Sequence, residues 1–398
     1  MIFEVAKTHS RIATIIISFD AGSRVELKSD HNLGISHMLE HSLFKGTAKM
    51  SAMDIQRKIA FLGGSSNAFT SHESVAYYVT VPYENLEPCV EILSDMVFNP
   101  IFPEDEILRE IEVVKEEELS RKDDTSSFIW QEFSKEFFGE HYLAVPVIGY
   151  QETISRFSRE ELVAFHETYC QKSNAIISLC CNLTKKASKA LLSRYFGRAN
   201  GKIKRLHKFS NPIYSESKDI ELTRKNLEQS HVWMGMPSVT NSDENSPAIK
   251  LMMTILGSGM DSRLFEEVRE KRGLVYGVSA SSTSWQNGAV SLVEFSTRDS
   301  NVGEAKEVVL AELNKIKTEL VSEEELQRAK NKLRASFYSA IEDSYNIAYW
   351  QIKRKMFGIP TIDNYMSMID STTSEDIKKV SDMVFDTSKL LTVTCRKE

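Results

Sequence analysis

Two stretches far apart in this chain are written in nearly the same code. Phe157-Ser-Arg-Glu-Glu-Leu leads through Tyr169 into the apolar run Ala175 to Cys181, and Thr373-Ser-Glu-Asp-Ile leads through Phe385 into Leu390 to Cys395. Each reads as a capped helix followed by a strand. Earlier in each copy, Pro103-Glu-Asp-Glu-Ile-Leu-Arg resembles Ser322-Glu-Glu-Glu-Leu-Gln-Arg, an acidic opening of a long helix of the kind a helix dipole favours. The offset is roughly 215 to 219 residues in both comparisons, which divides the 398 residues into two related halves of ordinary domain size. The expected organisation is a first domain over 1–197, a linker over 198–218 and a homologous second domain over 219–398. The linker carries Gly197, Gly201 and Pro212 at or within its bounds, and a basic run of Arg198, Lys202, Lys204, Arg205 and Lys208 that reads as solvated.

Within each half, strand and helix patterns mix without strict alternation. Ile12 to Phe19 and Val75 to Val81 are β-branched and aromatic and read as strands, while Leu33 to Phe44 and Ile107 to Arg121 have the apolar spacing of helices. The fold class expected is α+β: two homologous domains, each a largely antiparallel sheet with helices packed on one face. A net charge of -7 argues against a general nucleic-acid surface. Ile12 to Phe19, the longest apolar stretch near the start, is too short to span a bilayer and lacks the flanks of a secretion signal, so no membrane partner and a cytoplasmic location are expected. The five cysteines are odd in number and form no Cys-x-x-Cys pair, which fits buried thiols in a reducing compartment.

Chemistry concentrates in His37-Met-Leu-Glu-His41. Residues four apart share one face of a helix, so His37 and His41 can offer their imidazoles to one metal ion. Glu40 borders the same face and is placed to reach a water beside the ion, as a general base. A catalytic zinc takes three protein ligands and keeps one position open. The third ligand is sought in the carboxylate-rich segment Glu110 to Leu119, where spacing alone leaves Glu110, Glu112, Glu116, Glu117 and Glu118 in contention. Glu110 and Glu117 stand two turns apart, so one could ligate while the other orients a histidine.

With these motifs in hand, the chain resembles the pitrilysin and mitochondrial-processing-peptidase superfamily, the inverzincins, in its short two-domain type. Gly22-Ser-Arg-Val-Glu26 precedes the histidine motif, which runs into Phe44-Lys-Gly-Thr47; Gly63-Gly-Ser-Ser-Asn-Ala-Phe-Thr70 is similar to the family's edge strand. The family's pattern of two glutamates separated by six residues falls on Glu110 and Glu117. The resemblance implies that His37, His41 and Glu117 hold one zinc ion per chain, that Glu110 orients a ligand, and that Asn67, Ala68, Phe69 and Thr70 pair with an extended substrate. In the second half, the segment Gly257 to Tyr276 resembles the family's substrate-binding motif, which maps to Arg269 and Tyr276. No histidine accompanies the corresponding helix near Leu251 to Ile255, so only the first half can bind zinc in this way. Ser36, Met38, Ser42 and Thr125 depart from the family's pattern without removing a reacting group. The implied function is zinc-dependent endopeptidase action on unfolded peptides inside a homodimeric chamber, with Arg269 and Tyr276 serving the zinc site of the partner subunit. The alternative is a non-catalytic structural or peptide-binding subunit of the same superfamily.

Overall fold

The structure is a computed structural model of the chain, and the description covers residues 1–26, 32–201 and 208–398. Of the expected linker, residues 202–207 lie outside the described residues, and with them Lys202, Lys204 and Arg205 of the basic run.

The first sheet contains β1 (Ile2–Lys7), β2 (Ile12–Phe19), β3 (Ser65–Thr70), β4 (Val75–Pro82) and β5 (Ile176–Cys181), in the order β1-β5-β2-β4-β3. The second contains β6 (Lys218–Arg224), β7 (Ser230–Pro237), β8 (Val275–Trp285), β9 (Gly288–Thr297) and β10 (Leu391–Lys397), in the order β6-β10-β7-β9-β8. The two orders are the same topology. In each sheet the first strand pairs in parallel with the last, and the other pairings are antiparallel. The capped helices of the repeat are Arg159–Tyr169 and Ser374–Val384; both begin with a reciprocal capping box, Ser158 with Glu161 and Thr373 with Asp376.

Residues on a strand point alternately to the two faces of a sheet. In the first sheet the odd-numbered side chains of β2 and β4 meet helices of their own half: Tyr77 lies against Phe44 and Phe19 against Phe98. The even-numbered side chains Ile16, Ala76, Ile176 and Cys180 pack instead against Ala348, Ile352 and Met356 of the helix Ser344–Phe357, which comes from the second half of the sequence. Thr14 and Ser344 share a buried hydrogen bond of 2.8 Å across this contact. Because both faces are covered, every residue of β5 and all of β2 except Ile12 are buried, which suits strands that are apolar apart from Thr14, Ser18 and Ser178.

The second sheet repeats the arrangement in exchange. Val232, Met234, Val293 and Phe295 face a core shared with the helices Ser246–Gly257, Val302–Thr318 and Ser374–Val384. Trp233, Leu391, Val393 and Cys395 face Ile129, Phe133 and Phe137 of the helix Thr125–Phe138, supplied by the first half. The contact is close at Gly235, where an added Cβ would stand 2.2 Å from Phe133. The two exchanged helices begin at equivalent places in the repeat, each directly after an acidic residue, Asp124 and Asp343.

The compact units are therefore not simple sequence halves. One comprises Met1–Asp124, Val145–Lys208 and Ser339–Gly358; the other comprises Thr125–Ala144, Phe209–Tyr338 and Ile359–Glu398. Helices of each half cover one face of their own sheet as the hydrophobic pattern requires, and the exchanged helix adds a cover to the other. All five cysteines are free and buried. Among the described residues no helix is long and apolar enough to cross a membrane.

Candidate metal centre

The helix Ile35–Ser42 carries the histidine motif, and its start is held from several directions. Gly34, at its N-cap, has φ 96°, a conformation suited to glycine. A Cβ on Gly34 would lie 2.3 Å from the Ile148 carbonyl oxygen, and one on Gly149 would lie 2.3 Å from that of Leu33. Thr153 Oγ1 donates to the Leu33 carbonyl at 2.7 Å. The cap that Gly34 lacks is supplied by Glu26, whose two carboxylate oxygens accept from the Gly34 and Ser36 backbone N–H groups, both at 2.8 Å. Full burial raises the pKa of Glu26 to about 7, against the lowering effect of these hydrogen bonds.

Opposite stands the helix Glu104–Asp123, which places Glu104, Asp105 and Glu106 in its first turn and Arg121 and Lys122 in its last, matching both ends of its dipole. Of the carboxylates that spacing left open, this helix turns Glu117 toward the histidines. Its Oε2 lies 3.7 Å from His37 Nε2 and 3.5 Å from His41 Nε2. Glu112 pairs with Lys115 at the surface, Glu116 is exposed, and Glu118 is buried against Gln151 and Lys122. Glu110, two turns before Glu117, accepts from His41 Nδ1 at 3.0 Å and is also paired with Lys45. That contact leaves the Nε2 atom of His41 facing Glu117.

Arg121 was not singled out by the sequence, although the Glu-x-x-x-Arg spacing of a helical ion pair was there to be read. Its Nε and Nη2 atoms donate to Glu117 Oε1 at 3.0 and 2.9 Å, leaving Oε2 for the histidines. Hydrogen bonding from His41 is the leading influence that draws the pKa of Glu117 down to about 2. Burial, then the nearby His41, lowers His37 to about 4. Burial acts in the same sense on His41, but the carboxylates of Glu110 and Glu117 outweigh it and raise that residue to about 9. One buried imidazole is thus kept neutral while a carboxylate facing it stays ionised.

His37, His41 and Glu117 each offer a ligand atom within 4.8 Å of the others. Nitrogen and oxygen donors at about 2.0–2.2 Å from one tetrahedral zinc stand roughly 3.3–3.6 Å apart. The 3.5 Å from Glu117 to His41 lies within that range and the 3.7 Å to His37 just beyond it, and the set of two histidines and one carboxylate is a zinc donor set. The residues present therefore fit the ion.

Glu40 lies on the same helix and is half-buried; burial raises its pKa, while the hydrogen bond from Thr70 works the other way. Thr70 Oγ1 donates to Glu40 Oε2 at 2.6 Å. The threonine expected to meet substrate from β3 is thus engaged with the expected base. The rest of the segment is an edge strand: among the described residues β3 pairs with β4 alone, and no strand pairs with its other edge. The Ala68 backbone N–H is held by Asn67 Oδ1 at 2.8 Å, and the Phe69 ring lies against Tyr349. Arg269 and Tyr276 belong to the other compact unit. They stand beside each other, the Arg269 guanidinium 4.5 Å from the Phe265 ring centre and 5.3 Å from that of Tyr276, whose side chain is 79% exposed.

Comparison with known proteins places these features in a family. Residues 2–149 match the model of the insulinase family, peptidase family M16, and residues 156–333 match that of the peptidase M16 inactive domain. The second description accords with the absence of histidine from the helix Ser246–Gly257. The chain is 31% identical over 337 residues to a protein of Bacillus subtilis (strain 168) named uncharacterized zinc protease YmxG, covering 84% of this chain and 80% of that one. It is 30% identical over 368 residues to an uncharacterized zinc protease of Rickettsia felis, covering 92% of this chain and 87% of the other. Among solved structures, a protease from Helicobacter pylori has the same fold with a TM-score of 0.89 at 22% identity, over 98% of this chain and 96% of that chain. The peptidase M16 inactive domain from Pseudomonas fluorescens gives 0.89 at 21% identity, over 100% and 95%. The two family models together span most of the chain, the curated relatives match it at 30% identity or more over most of their own length, and the chain belongs to the short two-domain members of peptidase family M16.

Proposed function

We propose that this chain is a zinc-dependent endopeptidase that cleaves unfolded peptides. The observation that carries the reading is the convergence of His37 Nε2, His41 Nε2 and Glu117 Oε2 with Glu40 beside them on the same helix. When bound there, zinc supplies Lewis acidity that polarises a peptide carbonyl and makes water acidic near neutral pH. Glu40 takes the proton of the attacking water and returns it to the leaving amine. Thr70 holds one oxygen of Glu40, so the other is directed to that exchange. Glu110 fixes the ring of His41, and Arg121 fixes the carboxylate of Glu117.

An extended peptide adds to the open edge of β3 through backbone hydrogen bonds, which read little of its sequence. Arg269 and Tyr276 are donors suited to a substrate carbonyl, and in a homodimer they serve the site of the partner subunit. The five buried free thiols support a reducing, cytoplasmic compartment. The deciding experiment measures zinc content together with cleavage of a quenched peptide. Wild type is expected to hold one zinc per chain and to lose cleavage with a chelator, and Glu40→Gln to keep the zinc and lose the cleavage. A zinc-loaded wild type that cleaves none of a broad set of unfolded peptides would favour the structural-subunit alternative.

A further inference from the structure

We propose that Lys353 forms an anion-binding subsite for the peptide on β3, taking an acidic side chain or a terminal carboxylate of the substrate. The inference rests on the peptidase reading and deepens it. Tyr345, Tyr349 and Lys353 are four residues apart on the helix Ser344–Phe357, so they form one stripe. Tyr345 lies against Tyr78 with ring centres 4.6 Å apart and the rings tilted, and Tyr349 meets Phe69 at 5.3 Å. In the sheet register Tyr78 lies opposite Asn67, and Ala76 opposite Phe69. One helical turn from Tyr345 to Tyr349 therefore advances along β3 from Asn67 to Phe69, toward Thr70 and the Glu40 it holds. Lys353 is the next step on that stripe.

Its ammonium sits 5.0 Å from the Tyr349 ring centre and 5.2 Å from that of Trp350. Lys353 is half-buried, and no carboxylate pairs with it among the described residues, whereas Lys355 two residues on pairs with Glu4 at 3.2 Å. Glu73, the acidic residue in the turn after β3, is committed to Arg24 in a buried ion pair. Burial alone lowers the pKa of Lys353, with no opposing carboxylate. Aromatic faces offset part of the cost of withdrawing an ammonium from water, and an anion would offset more. A peptide strand added to β3 alternates its side chains between the two faces of the sheet. One set looks toward the histidine helix; the other looks toward Phe69, Tyr349 and Lys353, an aromatic wall ending in a positive charge.

The test uses full-length, zinc-loaded protein and amidated peptides in which a single Glu is walked through a neutral sequence, each paired with its Gln counterpart. A Glu-free peptide with a free or amidated C-terminus separates the two sources of carboxylate. At one position, or at the terminus, the carboxylate is expected to raise kcat/KM about tenfold over its neutral partner. Lys353→Gln should erase that ratio, and Lys353→Glu should invert it, preferring Lys over Gln at the same position, an outcome that misfolding does not produce. Fluorescence anisotropy with Glu40→Gln protein and the same peptides reads the preference without turnover. Equal Glu-to-Gln and free-to-amidated ratios in wild type and Lys353→Gln would overturn the subsite while leaving the peptidase reading intact. If no peptide is cleaved the peptidase reading fails, and the anisotropy comparison with and without Lys353→Gln still decides the subsite.

Discussion

Replacing Thr70 by valine keeps the shape of the side chain and removes one hydroxyl. That hydroxyl donates to Glu40 Oε2 at 2.6 Å, and Glu40 is half-buried, so solvent does not fully substitute for it. A hydrogen bond to a charged group contributes about 1.5–3 kcal/mol. If it is spent on holding Glu40 in position for proton transfer, its loss lowers kcat by roughly 10- to 150-fold. The Thr70 hydroxyl bonds to Glu40 and not to His37, His41 or Glu117, so zinc content is expected to stay at the wild-type level. Thr70→Ser keeps the donor and should restore most of the rate. The assay is steady-state cleavage of a quenched peptide with parallel zinc analysis of each variant. The two possible duties of Thr70 separate cleanly here. A fall in kcat at nearly constant KM marks a residue that positions the base, whereas a rise in KM at constant kcat marks one that binds substrate along β3. The second result would refute the argument from the Thr70–Glu40 contact.

Three further outcomes follow from the geometry. Glu110→Gln removes the charge that His41 Nδ1 and Lys45 face, and should weaken zinc about 10- to 100-fold in competition with a chelator while the fold persists. Ile352→Ala empties a fully buried position on the exchanged helix and should cost about 2–5 kcal/mol in urea unfolding; a loss below 1 kcal/mol, on the order of a surface change, would contradict the two-sided burial of the first sheet. His166 is buried with Nε2 2.8 Å from the Val97 carbonyl oxygen, and burial, the largest influence, lowers its pKa below 6.5. Its folded pKa is depressed, so the unfolded chain takes up the proton first, and the stability it contributes is complete above about 6.5 and lost as the pH falls below that value. Urea midpoints measured from pH 7.5 down to 5 should therefore fall less steeply for His166→Gln than for wild type.

Much of the site was legible as local pattern. The spacing of His37 and His41 on a helix and the adjacency of Glu40 are covalent facts once the segment is helical, and the structure has that helix over Ile35–Ser42. The strands β2, β4, β5 and β10 fall where β-branched and apolar runs place them, within a residue or two at their ends. The near-repeat of the two capped helices anticipated two sheets of one topology. Spacing did not choose Glu117 over its acidic neighbours, because every carboxylate in a charged helix can face a partner until the partner's position is known. It equally gave no sign that Thr70 would meet Glu40, a contact between residues thirty apart.

The sequence by itself determined which residues share a face, since helical and strand periodicities are properties of the backbone and travel with the chain. Only the tertiary structure decided which face meets which. The helices Thr125–Phe138 and Ser344–Phe357 look like continuations of their own halves, yet each packs in the unit built mainly from the other half. Apolar side chains lie on both faces of the first sheet's central strands and must be covered, and hydrophobic burial is non-directional: it requires a covering helix without specifying where along the chain that helix is encoded.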